Sequence, residues 1–291
     1  MRRFDLLFRA WLAGFMVMGA AGAIAAPLTA RLGYTADQQG GFALDADFSV
    51  SPSERLTLSA GAGHSQGAEV TGDLTGTLYN AGLSWRGERA GISLAYDAFD
   101  DSSNYQAGTL GARAWLAAGD FEFALLGRRR DLSVEVVLDL PLRTLRRELD
   151  FSATGFGLEL GYAREDFSAY VMALQYDYDE SFDGFLELIR SPVLERRPRI
   201  EALVGTFITQ TQGAIDRLAG AGCEFGWGRH SLGLDLTFAH DAVLDSGSTS
   251  LALSYRQVES ARIDWGLSAG LVDSDAFGDI GFLGVEIGLS N

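Results

Sequence analysis

The 291-residue sequence has no lysine, one cysteine, three histidines and five prolines. A single cysteine, Cys223, excludes an intramolecular disulfide. It sits on the apolar parity of its segment and reads as a small hydrophobe rather than a reactive thiol. So few prolines leave extended segments mostly uninterrupted. Every basic residue is arginine, and 23 of them stand against 39 acidic residues, for a formal net charge of −16. That balance excludes a nucleic-acid partner, which needs a basic footprint. It suits divalent cations or cationic solutes. After the N-terminal region, no stretch approaches the roughly 20 apolar residues of a membrane-spanning helix.

The N-terminal region is different. Arg2, Arg3 and Arg9 precede an apolar run from Trp11 to Ile24, and Ala23-Ile24-Ala25 supplies a small-x-small cleavage pattern. Residues 1–25 are therefore expected to be a secretory signal, with the mature chain starting at Ala26. The run is short, rich in Ala and Gly, and followed by Pro27, which argues against a retained anchor. No cysteine lies near the cleavage site, so a lipoprotein is not expected. Removing three arginines and one aspartate with this segment leaves 20 basic and 38 acidic residues, or −18.

From about residue 41 onward one pattern recurs: segments of about ten residues alternating a bulky apolar residue with a small or polar one. Leu232, Leu234, Leu236 and Phe238 interleave with Gly233, Asp235, Thr237 and Ala239. Ile263, Trp265, Leu267, Ala269 and Leu271 interleave with Asp264, Gly266, Ser268 and Gly270. Successive strand side chains point to opposite faces, so each segment has one apolar face and one small, hydrated face. In an exported chain without a spanning helix, a closed barrel is the remaining way to cross a bilayer.

Short polar breaks at 51–54, 86–90, 117–119, 164–166, 228–230 and 259–261 alternate with longer ones. The longer ones are 65–73, 100–106, 129–150, 179–212, 241–248 and 273–279. With a first strand near Leu28 to Tyr34, this gives an all-β, single antiparallel transmembrane barrel of about 14 strands, 12 or 16 being the alternatives. Short turns belong to the periplasmic end and long loops to the outside. The segments 129–150 and 179–217 are expected as long extracellular loops, able to plug the lumen. Trp85, Trp115, Trp227 and Trp265 each lie near a short turn, as an aromatic belt at the inner membrane boundary would place them. Trp115 shares the parity of Arg113, which fits that belt poorly.

In these features the chain resembles the bacterial outer-membrane β-barrel proteins, at the level of the class. The resemblance implies a cell outer membrane location. It also implies outer-membrane lipid, lipopolysaccharide and the barrel assembly machinery as partners, with small solutes as possible cargo. Such barrels usually end on an aromatic residue. Here Leu283, Val285, Ile287 and Leu289 keep the alternation, but Ser290-Asn291 follow.

Gly63-His64-Ser65-Gln66-Gly67 matches Gly-x-Ser-x-Gly literally, but a nucleophile elbow needs a following helix, and 68–78 has no helical periodicity. His64, Ser65, His240 and Asp241 lie at outward strand ends and are the weak alternative for a rim-located hydrolytic site. Otherwise no catalytic residue, no metal and no cofactor is expected. The acidic groups Asp97, Asp100 and Asp101; Asp177, Asp179, Glu180 and Asp183; and Asp273, Asp275 and Asp279 lack the EF-hand pattern. They suit solvated loops facing a cation-bridged lipopolysaccharide surface. Arg143, Arg146 and Arg147 suit lipid phosphates.

Taking the apolar parity as lipid-facing, the lumen should carry Asp45, Asp47, Asp97, Glu122, Glu159, Asp177, Glu224, Asp235, Asp264 and Glu286. Arg113 and Arg256 join them. The expectation is a porin-like passive channel leaning toward cations. A rim hydrolase and a closed structural or adhesive barrel are the alternatives.

Overall fold

The structure is a computed structural model that describes residues 26–67, 74–101, 105–140, 143–179, 214–242, 245–260, 262–275 and 278–291. The expected signal at 1–25 lies outside these residues. So does most of the 179–217 segment.

Fourteen antiparallel strands close into one barrel, each paired with its sequence neighbours and the first with the last. They are β1 (Leu28–Asp37), β2 (Phe42–Ser53), β3 (Leu56–Gly67), β4 (Leu74–Arg86), β5 (Ala90–Asp101), β6 (Tyr105–Ala118) and β7 (Phe121–Leu140). There follow β8 (Arg143–Arg164), β9 (Phe167–Tyr178), β10 (Ile215–Trp227), β11 (His230–Asp241), β12 (Ser246–Val258), β13 (Ile263–Ser274) and β14 (Gly278–Ser290). Closure leaves no unpaired edge, which is what a sheet in lipid requires. With strands about 4.8 Å apart and tilted by about 40°, the backbone ring is roughly 28 Å across.

All six expected short breaks are hairpin turns at one end of the barrel, here the short-turn end. Two of them place glycine, Gly119 and Gly228, with positive φ (65° and 62°) at the first of two turn residues. That is where a type II′ hairpin turn takes glycine. The other end is the loop end. One expectation fails there: the described residues of 129–150 are strand, not loop. β7 and β8 pair from Phe121↔Tyr162 to Leu140↔Arg143, forming a hairpin longer than the others. Its charged residues read as loop, yet a strand reaching past the hydrocarbon can carry charge on either face. β10 likewise begins at Ile215, inside the segment expected as a loop.

The alternation sets the faces. Leu232, Leu234, Leu236 and Phe238 point outward beside Tyr255, Leu253, Leu251 and Thr249 of β12. Leu125, Leu158, Phe156 and Leu283 are 64–72% exposed on this outer wall. In water, each such side chain would forgo roughly 1.5–3 kcal/mol of burial, so the wall is made for a hydrocarbon surround.

Belt aromatics gather at the short-turn end. Phe225, Trp227, His230 and Tyr255 stack in succession across β10 to β12, and Trp265 of β13 meets Tyr255 edge-on, with ring centroids 5.6–5.9 Å apart. Phe121, Tyr162 and Phe167 form a second outer group, and Trp85 is 44% exposed. Trp115 is the correction. Its residue points inward with Arg113, and the ring is only 7% exposed. It lies against Gly91 of β5, where any β-carbon would collide with the indole.

The seam between β1 and β14 is fastened by the last residue. Asn291 Oδ1 accepts from the Leu28 amide at 2.7 Å, and the Asn291 amide donates to the Leu28 carbonyl at 3.1 Å.

Candidate functional site

The inner wall carries a set of ionisable residues on a glycine- and serine-rich background. Register places Asp45 and Asp47 of β2, Asp97 of β5, Arg113 of β6, Glu122 of β7 and Glu159 of β8 on this face. Glu224, Asp235, Arg256, Asp264 and Glu286 share it on β10 to β14. Asp177 does not. It is the cross-strand partner of Thr154 on the outer face near the loop end, because inward parity on β9 belongs to Tyr170, Met172, Leu174 and Tyr176. Aromatic residues there hid the true parity from a polarity argument.

Other inward residues escaped the sequence reading. Arg31 pairs across from Asp47 and Gly288, and Arg86 from Gly91. Arg128 and Arg130 follow Leu126 on the inward parity of β7. Strict alternation from Leu32 and from Phe123 marks Arg31, Arg128 and Arg130 as inward, but the latter two abut the stretch read as loop.

Three strands meet at Arg113. Its guanidinium grips Glu159 through two nitrogens, at 2.7 and 3.4 Å, and also contacts Glu122 closely. Arg86 approaches Glu122 at 3.7 Å and lies 5.0 Å above the Trp115 ring. Two cations and two carboxylates thus neutralise one another near the short-turn end. Across the barrel, Arg256 binds Asp264 at 2.7 Å, and Arg31 stands 3.6 Å from Glu286. Asp45 and Asp47 on β2, and Asp97 on β5, have no arginine within salt-bridge distance among the described residues.

Two clamps cross an intervening strand over a glycine. Asn80 of β4 donates to Asp47 of β2 at 3.1 Å across Gly61 of β3. Tyr170 of β9 donates to Asp235 of β11 at 2.9 Å across Gly222 of β10. A β-carbon at Gly222 would come within 2.5 Å of the Tyr170 ring. Gly222→Val is therefore expected to cost roughly 1–3 kcal/mol by overpacking. Gly220→Val, beside the flexible Met172 at 3.4 Å, should cost much less. Urea unfolding of the refolded proteins measures both, and equal losses would refute the clamp.

The inner wall is not small and polar all round. Near the loop end Phe99, Ala107, Leu132 and Phe151 form a buried cluster, backed by Leu78, Tyr105 and Tyr178. Beside it Ala153, Leu174 and Tyr176 make a second. Arg130, 2% exposed, donates to Thr109 at 3.2 Å and lies 5.1 Å from the Tyr176 ring centre. The sector from β5 to β9 is thus filled near the loop end. Gly33, Asp45, Asp47, Gly61, Gly233, Ser254, Ser268 and Gly284 line the opposite sector at mid-height.

The rim residues do not converge. His64 and His240 take outward parity, across from Leu44 and Arg217, while Ser65 and Asp241 point inward. β3 and β11 are six strands apart around the ring of fourteen, nearly opposite. His240 is bonded instead to Asp216, at 2.7 Å. Ser65 lies within strand β3, where no sharp turn presents its hydroxyl. Among the described residues, no group of three or more His, Cys, Asp or Glu side chains is placed to hold a metal ion.

No protein-family model and no curated protein sequence matches the chain. Solved structures do. A loop L8 deletion mutant of OmpT, an outer membrane protein of Vibrio cholerae, aligns with a TM-score of 0.50 at 10% identity, over 91% of this chain and 97% of that one. Outer-membrane expressed OmpT of the same organism aligns at 0.48 and 9%, over 91% and 96%. The KdgM porin aligns at 0.45 and 9%, over 89% and 97%. At such identities the likeness is one of fold: the chain has the closed β-barrel architecture of bacterial outer-membrane proteins.

Proposed function

We propose that this protein is an integral outer-membrane channel passing small solutes passively, with a preference for cations. The small, acid-lined sector of the inner wall carries this reading. A ring roughly 28 Å across, lined there by glycine and serine, leaves room for water beyond the side chains. Arg113, Arg31 and Arg256 are absorbed by carboxylates, whereas Asp45 and Asp47, which face the open sector, have no arginine within salt-bridge distance among the described residues. The potential felt by a passing ion is then negative, which favours cations over anions. The outer wall and the aromatic belt support a membrane location with the short-turn end toward the periplasm.

The apolar cluster near the loop end favours a second reading, a barrel whose mouth is closed. Swelling of proteoliposomes in small neutral sugars separates the two: swelling supports the channel, and intact, folded protein without swelling supports the closed barrel. In a channel, Asp45→Asn with Asp47→Asn and Glu286→Gln is expected to lower the cation-to-anion permeability ratio several-fold. An unchanged ratio would remove this acidic sector from the conduction path.

A further inference from the structure

Resting on the outer-membrane reading, we propose that the outer wall across β7 to β11 holds a phosphorylated glycolipid of the outer leaflet, the lipid A part of lipopolysaccharide. Arginine facing lipid at the midplane costs about 2–4 kcal/mol, but near the interface only about 0–1 kcal/mol, so an outward arginine there can stay charged beside lipid headgroups. Away from the short-turn end, Arg129 and Arg217 are the only outward arginines among residues whose side chains are described. Their side chains are 67% and 73% exposed. Each is in a loose ion pair, with Asp131 at 3.6 Å and Asp216 at 3.7 Å, beyond good hydrogen-bond range, so guanidinium N–H groups are left to donate to a phosphate.

The two arginines lie on one polar edge. Arg129 is across from Thr154 and Thr154 from Asp177; two residues further along β9, Gln175 is across from Arg217, and Arg217 from His240. Three strand spacings, about 14 Å, separate the arginines across the wall, and a two-residue stagger of about 7 Å along it. That spread suits a headgroup with two phosphates better than a single phosphodiester, and guanidinium binds phosphate in bidentate fashion. Immediately toward the midplane, a groove of about 640 Å³ opens on the same wall. Its floor is the cross-strand pair Ala173 and Ala219, and Phe156, Leu158 and Phe238 form its sides. Small residues flanked by large ones make a slot for an acyl chain, with cationic anchors at headgroup height. Asp177 shares the edge, Asp273 and Asp275 line the groove, and Asp131 and Asp216 flank the arginines, so a polyanion binds here together with divalent cations that bridge carboxylate to phosphate.

The test titrates fluorescent lipid A into the full chain, refolded in detergent with magnesium. Heat-modifiable gel migration and conductance are recorded first for every variant. Arg129→Gln with Arg217→Gln is expected to weaken lipid A binding at least tenfold. Arg164→Gln, outward at the short-turn end, should bind like the wild type. Dephosphorylated lipid A should bind the wild type as weakly as lipid A binds the double variant. Equal affinity of double variant and wild type for lipid A overturns the proposal, and so does equal affinity of the wild type for lipid A and phosphatidylglycerol. A chain that folds and conducts but fails these comparisons defeats this inference alone. A chain that forms no heat-modifiable barrel defeats the outer-membrane reading instead.

Discussion

Leu253→Arg is expected to destabilise the membrane-inserted barrel by about 2–4 kcal/mol, and Ser254→Arg, one residue away, by less than about 1 kcal/mol. Leu253 is 48% exposed on the outer wall between Leu234 and Ala269. A guanidinium there would lie in hydrocarbon. Ser254 faces inward across from Gly233 and Ser268, where an arginine finds water and carboxylates. Unfolding in denaturant from lipid vesicles gives both values. Reversing the order of the two losses would invert the assignment of faces around the whole barrel, since β-pairing ties every strand's parity to its neighbours.

Arg113→Met is expected to cost about 1.5–3 kcal/mol and also to raise cation preference. Arg113 is the hub for Glu122 and Glu159, all three side chains being 21–27% exposed. Charged hydrogen bonds of this kind are worth roughly 1.5–3 kcal/mol each, and removing the cation leaves two carboxylates facing one another. Adding Glu159→Gln should recover part of the stability and cancel the gain in selectivity. Denaturant unfolding checks the first effect and reversal potentials the second. A variant as stable as the wild type and equally selective would mean that the cluster neither braces the wall nor borders the ion path.

The strand pattern was readable because lipid enforces it. Leu232 to Phe238 and Ile263 to Leu271 must present apolar residues every second position, and the six short breaks must turn the chain. That logic ends where the hydrocarbon ends. Arg128 to Asp131 and Arg146 to Glu148 look like loop residues, yet they belong to β7 and β8, extended strands that pair beyond the apolar zone. The same relaxation lets Phe99, Leu132 and Phe151 point inward and fill one sector near the loop end.

The inner face was readable wherever polarity marks it, as with Asp45, Asp47, Asp235, Asp264 and Glu286. It was hidden where a large side chain lies flat over a glycine of the next strand. Trp115 over Gly91 and Tyr176 over Gly155 are inward aromatics that sequence polarity assigns to lipid. The same effect in reverse puts the polar Asp177 on the outer face. The apparent rim constellation dissolves for a topological reason, because β3 and β11 stand nearly opposite each other in the ring, six strands apart.

As proposed above, the inner wall encloses a water-filled, net acidic path. Single-channel recording in a planar lipid bilayer under a potassium chloride gradient tests it most directly. The expected result is discrete conductance steps with a reversal potential on the cation-selective side. Folded, heat-modifiable protein that gives no steps, or steps that reverse on the anion-selective side, would contradict it.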